Sequence, residues 1–455
     1  MNNEEFYAEA DAKATIAIAD AHLQIEIDRL VEETVADGRK LVTIRTISAI
    51  DDIPGADFIK VAQVEGWKVV VKAGEFQPGD MCVFLEVDSF LQLSDERFAF
   101  LEKNAITWHG IKGVRLKTIR LRKQLSQGLA LPLKDFPEIK KHLEDVGLGV
   151  VTMLNYDQVR DINFTGVLRV MKWEKIMSAQ LAGKAKGNFP SWLRKSDQER
   201  AQNMGDEIFG TNMIERGGLL VNRYPIAGEQ LALIPLEALE NACATGRMVM
   251  IDGTYHHVRG KANGPASYEV TIKLDGSSMT IYRRGDGDEA LEGVCSRNLD
   301  LKLEGNEENS FVSMAQSGLL AALRDTRTNV AVQGELMGPG IQGNREGFSS
   351  NRFFVYNVLD VNTGEFMTPP ERAFFIREMN EVAKRNEIKV AIEHVPVVHP
   401  HCTLEELGIT NMDELLKFAE GPSLNHKVRE GLVFKALDGR HQFKIISNLH
   451  LEQEK

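Results

Sequence analysis

The sequence predicts an α+β protein in which a small β-barrel precedes a larger region of mixed helix and strand. Three observations predict it. Residues 4 to about 35 intersperse Ala and Ile with charged residues and hold neither Pro nor Gly before Gly38, which is a helical pattern. From Leu41 the pattern changes to short runs rich in Val and Ile. From residue 266 to the end, β-rich runs alternate with helical ones at 311–325, 370–386 and 404–419.

The barrel rests on the runs LVTIRTISAI (41–50), IKVAQV (59–64), WKVVVKA (67–73) and MCVFLEV (81–87), followed by GVRLKTIRLR (113–122) and GLALPL (128–133). Turn signals at Pro54-Gly55 and Pro78-Gly79-Asp80 separate the early runs. Many short strands within roughly a hundred residues suit a barrel of the oligonucleotide-binding (OB) type. Residues 112–123 carry six cations, Lys112, Arg115, Lys117, Arg120, Arg122 and Lys123, and no acid. A solvated face would explain them, but against an acidic chain the cluster favours a nucleic-acid contact. A second basic segment, 181–204, sets Phe189 and Trp192 among cations that include Lys184 and Lys186. Ser196 and Glu199 have capping-box spacing, so a helix is expected to start there. The expected organisation is an acidic helix (1–36), a barrel (37–155) and a domain over 156–455 with an insertion near 205–265.

Composition narrows the class. The chain has 455 residues, 43% hydrophobic and 26% charged, with net charge −12 and a pI near 5.5. This is an ordinary globular balance. The charge argues against a protein that coats nucleic acid in bulk, and leaves room for a local basic groove. No apolar run approaches the roughly eighteen residues of a membrane span, and the N-terminus does not read as a secretory signal. Cys82, Cys243, Cys295 and Cys402 are far apart, which favours neither a disulfide framework nor a zinc site. A reduced, cytoplasmic protein is expected.

The chemistry centres on Tyr268-Glu-Val-Thr-Ile-Lys273-Leu-Asp275-Gly276-Ser277-Ser278. An alternating strand delivers a lysine to its end, and a Gly turn follows. Lysine is a poor nucleophile at neutral pH, with an unperturbed pKa near 10.4 and about 0.04% of free amine at pH 7. Neighbouring cations, a metal or burial must therefore lower that pKa. Alone, Lys-x-Asp-Gly suits a surface lysine beside a turn equally well. Its company decides: Cys295-Ser-Arg297-Asn298, then Gln333-Gly-Glu335-Leu-Met-Gly338-Pro339-Gly340-Ile-Gln342, then Arg352-Phe-Phe-Val-Tyr356-Asn357, then Arg429-Glu430-Gly431-Leu-Val-Phe-Lys435, and Gln442-Phe-Lys444-Ile-Ile446.

In that order the set resembles the motifs of the covalent nucleotidyltransferases, the polynucleotide ligases and capping enzymes. The Gly-Glu-x-x-Gly-Pro-Gly-Ile-Gln stretch is similar to the RNA ligase 2-like branch. The region before it resembles the OB-like domain of template-dependent RNA ligases, through Gly66-Trp67, Gly79-Asp80, Asp88-Ser89, Leu125-Ser126-Gln127-Gly128 and Ala182-Gly-Lys184-Ala-Lys186-Gly-Asn-Phe-Pro190.

The resemblance implies antiparallel sheets enclosing an ATP pocket. Lys273 would form a lysyl-adenylate, with Asp275 and Gly276 in its motif. Arg297 would contact ribose and phosphate, Glu335 the ribose hydroxyls, and Tyr356 would stack on adenine. Glu430 would bind Mg2+ (or Mn2+), and Lys435 and Lys444 would neutralise phosphates. The implied substrate is RNA, or a duplex containing RNA, with a nick and RNA on the 3′-hydroxyl side. Two positions depart from the pattern: Ile446 stands where a second lysine is common, and Asn357 where an acid is common. A DNA ligase or a capping guanylyltransferase is the first alternative. The eleven residues after Lys444 leave no room for their usual trailing OB domain, which favours the RNA ligase arrangement. A non-catalytic OB-type nucleic-acid-binding protein is the second. Oligomeric state stays open.

Overall fold

The computed structural model describes residues 3–151, 156–174, 184–209, 213–216, 219–223, 248–251, 254–258, 266–439 and 441–453. Cys243, Ala182 and Gly183 lie outside the described residues. The chain divides into two compact units. The first holds Met1–Ile176 with Asn212–Gly260, and the second Met177–Thr211 with Lys261–Lys455.

In the first unit the expected helix runs over Asn3–Ala36. Ile27, Leu30, Val31 and Thr34 are buried, a spacing that puts all four on one helical face. That face packs on Phe90, Trp108, Ile111 and Met171. Acids rim the contact: Glu26 meets His109 at 2.9 Å, Asp28 meets Arg169 at 2.5 Å, and Asp37 pairs with Lys172. These three basic partners lie outside 112–123.

The barrel strands follow. One antiparallel sheet has the order Leu129–Pro132, Met81–Leu85, Val42–Asp52, Ile59–Val64 and Trp67–Lys72. A second has Met171–Lys172, Ser89–Gln92, Ile111–Arg115 and Ile106–Trp108. Strand alternation explains the core. Trp67, Val69 and Val71 point inward with Ile47, Val64 and Phe84, and the Trp67 and Phe84 rings lie 5.6 Å apart. The insertion contributes a four-stranded antiparallel sheet, in the order Met213–Arg216, Leu219–Arg223, Thr254–Val258 and Met248–Ile251.

The second unit contains two larger, mainly antiparallel sheets. The first runs Ala185–Asn188, Leu299–Leu301, Leu291–Cys295, Ser277–Arg284, Val330–Met337, Arg352–Asp360 and Glu365–Phe366, with Glu393–His394 added in parallel. The second runs Glu199–Arg200, Gln442–Ile446, Gly431–Ala436, Tyr268–Lys273 and Val397–Cys402. Helices at 310–326 and Pro369–Arg385 cover the back of the first sheet, where Leu319, Leu323, Phe375 and Met379 meet Ile281, Val332 and Val355.

Two local expectations are corrected. No helix starts at Ser196. Glu199–Arg200 is a short strand paired in parallel with Phe443 and Lys444, and that distant sheet edge takes up backbone groups the capping box would have used. The helix expected over 404–419 is confined to Met412–Phe418, because Gly408 turns the chain at φ 66° and Asn411 caps a new start by accepting from Glu414 N.

Candidate active site

Strand alternation builds the site. In Tyr268–Lys273, Tyr268 and Val270 face a core with Leu432, Phe434, Phe443 and Ile445. Glu269, Thr271 and Lys273 therefore face the other way. Antiparallel register sets Lys273 opposite Gly431, Thr271 opposite Val433 and Glu269 opposite Lys435. Val433 is opposite Lys444, and Arg200 lies alongside Lys444. On the other sheet, Met279, Val332 and Leu336 face the helices, which leaves Ser278, Gln333 and Glu335 on the opposite face.

The Lys273 Nζ lies 2.6 Å from Glu430 Oε1. Gly276 joins the two sheets at this point, and its backbone N–H donates to Glu335 Oε1 at 3.1 Å. A Cβ on Gly276 would lie 2.3 Å from Met337 Sδ and 2.5 Å from the Leu336 carbonyl oxygen. Gly276→Ala is accordingly expected to destabilise the unit by about 1–3 kcal/mol, the scale of overpacking. Urea unfolding checks this, and an unchanged midpoint would refute it.

Electrostatics around Lys273 run against the sequence expectation of a lowered pKa. Burial does disfavour its charge, but Glu430, then Glu335 and Asp275, outweigh burial, and the ammonium pKa is raised. Glu335 moves the other way from an ordinary carboxylate. Burial first, then the negative charges of Glu430 and Asp275, push its pKa up to about 8, against the pull of Lys273. The site thus holds a protonated lysine and a Glu335 that largely keeps its proton at neutral pH.

Among the described residues no three His, Cys, Asp or Glu side chains form a ready-made metal cage. Mg2+ commonly takes one or two carboxylates and completes its shell with phosphate oxygens and water, so Glu430 fits a cation that arrives with a phosphate ligand.

Tyr356 stands at a break in register between its strand and Val330–Met337. Its hydroxyl lies 2.8 Å from Ser278 Oγ, and burial, then Glu335, raises the phenol pKa. Arg297 is exposed, and its charge acts on the same phenol. Phe353 and Phe354 are core residues, each 2% exposed. Lys444 Nζ lies 2.6 Å from Asp197. Ile446, opposite Gly431, shares that face.

Lys435 lies on the same sheet face as Lys273. It is buried, and its ammonium donates to the Tyr356 carbonyl oxygen and Asn357 Oδ1. Burial, with Arg372 nearby, drives its pKa well down. These contacts tie Lys435 to the strand that carries Tyr356, on the sheet face it shares with Lys273. Asn357 gains a reason as well, since its amide accepts from Lys435 and donates to Ser196 Oγ at 2.7 Å. Asp275 turns to Arg345, whose Nη1 is 3.0 Å from it and 2.6 Å from His450 Nδ1. Arg200, Asp197, Ser278 and Arg345 were not singled out from sequence. The Ser-Asp-Gln-Glu-Arg run was the available signal for the first two.

The basic residues divide. Arg115 is engaged internally, 2.7 Å from Asp88 and stacked on Trp173 at 3.9 Å. Lys117, Arg120, Arg122 and Lys123 are exposed. Lys186 is exposed on Ala185–Asn188, and Lys184 is half-buried just before it. No helix among the described residues is long and apolar enough to cross a membrane.

Comparison with known proteins gives the family of both domains. Residues 41–133 match a family model described as an OB-fold domain, and 266–447 match one described as RNA ligase. Naegleria gruberi RNA ligase with PPi is 34% identical, with a TM-score of 0.68 over 91% of this chain and 99% of that one. A lysine-to-alanine mutant of the same ligase with ATP and Mn gives 34% identity and 0.67 over 91% and 99%. A lysine-to-methionine mutant with AMP and Mn gives 34% and 0.68 over 91% and 99%. The comparison with curated proteins finds no match.

Proposed function

Because the chain belongs to the RNA ligase family, we propose that it seals 3′-hydroxyl/5′-phosphate breaks with ATP through a lysyl-adenylate at Lys273. The observation that carries this reading is the Lys273–Glu430 pair at 2.6 Å, beside a Glu335 whose charge acts on both Lys273 and the Tyr356 phenol. The ATP, AMP and Mn complexes of the Naegleria ligase support ATP and a divalent cation here.

Lys273 Nζ attacks the α-phosphorus of ATP. A P–N bond forms, the bond to the bridging oxygen breaks, and pyrophosphate leaves. A 5′-phosphate oxygen then attacks the AMP phosphorus and frees the lysine. Finally the 3′-hydroxyl attacks the 5′-phosphorus, and AMP departs as the phosphodiester closes. This chemistry asks for positioning and charge neutralisation. Lys444, with Arg200 alongside, supplies positive charge on the sheet face next to Lys273. Glu335 holds the ribose, Tyr356 stacks on adenine, and Arg297 reaches ribose and phosphate. Glu430 Oε1 holds the Lys273 amine in place through their ion pair. A divalent cation, when bound at Glu430, supplies charge against the phosphates and removes the anion that keeps Lys273 protonated.

Tyr356→Ala is expected to raise KM for ATP roughly 10–100-fold, from the ~1–3 kcal/mol of a base–aromatic stack, while Tyr356→Phe keeps most of the affinity. An unchanged KM in the alanine variant would remove Tyr356 from the site.

The substrate we propose is a nicked duplex with ribose at the 3′-hydroxyl end, discriminated at its 2′-hydroxyl. The test is a panel of nicked duplexes differing only in the terminal sugar. Sealing confined to 3′-ribose ends supports the reading, and equal sealing of an all-DNA nick contradicts it.

A further inference from the structure

The basic cluster of the first unit is not a flat face. Ile119–Leu121 and Gln124–Ser126 form a two-stranded hairpin of their own, with Leu121 opposite Gln124 across a two-residue turn. Its base is anchored. Leu125 is buried, Ser126 Oγ accepts from Val70 N at 3.0 Å, and Gln127 N donates to the Lys68 carbonyl oxygen at 2.8 Å. Its tip is exposed from 119 to 123, and Ile119 and Leu121 are 48% and 39% accessible.

The turn residues are Arg122 at φ 50° and Lys123 at φ 69°. Two successive positive φ values mark a type I′ turn, which Asn-Gly adopts with least strain. Two long, β-substituted cations are an unfavourable choice for such a turn. Strain of this kind persists where the residues serve something other than the fold. The wider sequence points to the ligand. Residues 103–134 contain no Asp or Glu, in a chain with 66 of them.

We propose that this hairpin is a finger that grips the duplex RNA substrate. Arg122 and Lys123 at the tip neutralise phosphates, and Ile119 and Leu121 lie against ribose in the wide, shallow minor groove. That groove suits a thin ribbon bearing small apolar side chains, whereas the major groove of A-form RNA is too deep and narrow. The occupant rests on the RNA ligase reading above.

The conflict between fold and ligand makes the finger testable with opposite signs. Arg122→Asn with Lys123→Gly relieves the turn and removes two cations. The full-length variant is expected to melt about 2–4 °C higher. It is also expected to bind a nicked RNA duplex about tenfold more weakly, with the slope of log K against log salt reduced by about one to two. Ile119→Ser with Leu121→Ser is expected to weaken binding about fivefold with the slope unchanged, a loss of apolar contact alone. Both should form the lysyl-adenylate at the wild-type rate. Wild-type RNA affinity in either folded variant would overturn the finger. Absence of an adenylate on the wild-type protein would instead overturn the ligase reading, while the duplex-binding measurement would still decide the hairpin.

Discussion

Lys273→Ala is expected to abolish sealing of a nick with a plain 5′-phosphate and to leave sealing of a pre-adenylylated nick largely intact. The two halves follow from where the lysine enters the chemistry. Only the first step uses its amine as nucleophile, and no other lysine is opposite Gly431 beside Glu430. Lys273→Arg is expected to fail as completely, because a guanidinium stays protonated and cannot attack phosphorus. The last step needs the 3′-hydroxyl, the AMP-bearing end and the surrounding cations, all of which the alanine variant retains. The comparison is made on the same RNA duplex with and without AMP on its 5′ end. Loss of both activities would mean that Lys273 supports the fold or the final step, and retention of both would remove it from the mechanism.

Glu430→Ala is expected to slow adenylylation roughly 10²–10³-fold, the scale for losing one preorganised charge partner. The same substitution should make Lys273 more reactive toward a neutral amine-acylating reagent. The sign follows from the electrostatics. Glu430 is the strongest of the carboxylates that raise the Lys273 pKa, so deleting it lowers that pKa and increases the free amine at a given pH. An ordinary structural residue would lower both reactivities together. Glu430→Gln separates charge from shape and should behave like the alanine variant toward the reagent. Raising the divalent cation concentration should restore part of the adenylylation if Glu430 holds the metal. Unchanged adenylylation would exclude Glu430 from the site.

Much of this site was legible from order and alternation. Lys273, Glu335, Tyr356 and Lys444 lie on separate strands and Glu430 just before another, and period-two alternation turns Lys273, Glu335 and Lys444 away from apolar cores visible in the sequence. What sequence did not reveal depends on contacts between distant residues. The Lys273 pKa is raised because Glu430 and Glu335, distant in sequence, lie beside it. The burial of Lys435 beneath Tyr356 follows from a second sheet closing over its strand. Ser196 to Glu199 has a local helix signal, but an exposed sheet edge at Phe443 and Lys444 competes for the same backbone groups and wins. The fold of the barrel was equally plain from its runs of Val and Ile. The projection of residues 119–123 from it was not, because a type I′ turn of Arg and Lys carries none of the usual turn residues.

The central claim is a phosphoramide on one named atom, and peptide mapping tests it most directly. Wild-type protein is incubated with ATP and Mg2+, digested at neutral to alkaline pH, and its AMP-bearing peptide sequenced by fragmentation. The account predicts AMP on the peptide spanning Tyr268 to Arg283, carried by Lys273. AMP on any other lysine, Lys444 included, or no adduct on folded protein that did not already carry AMP, would contradict it.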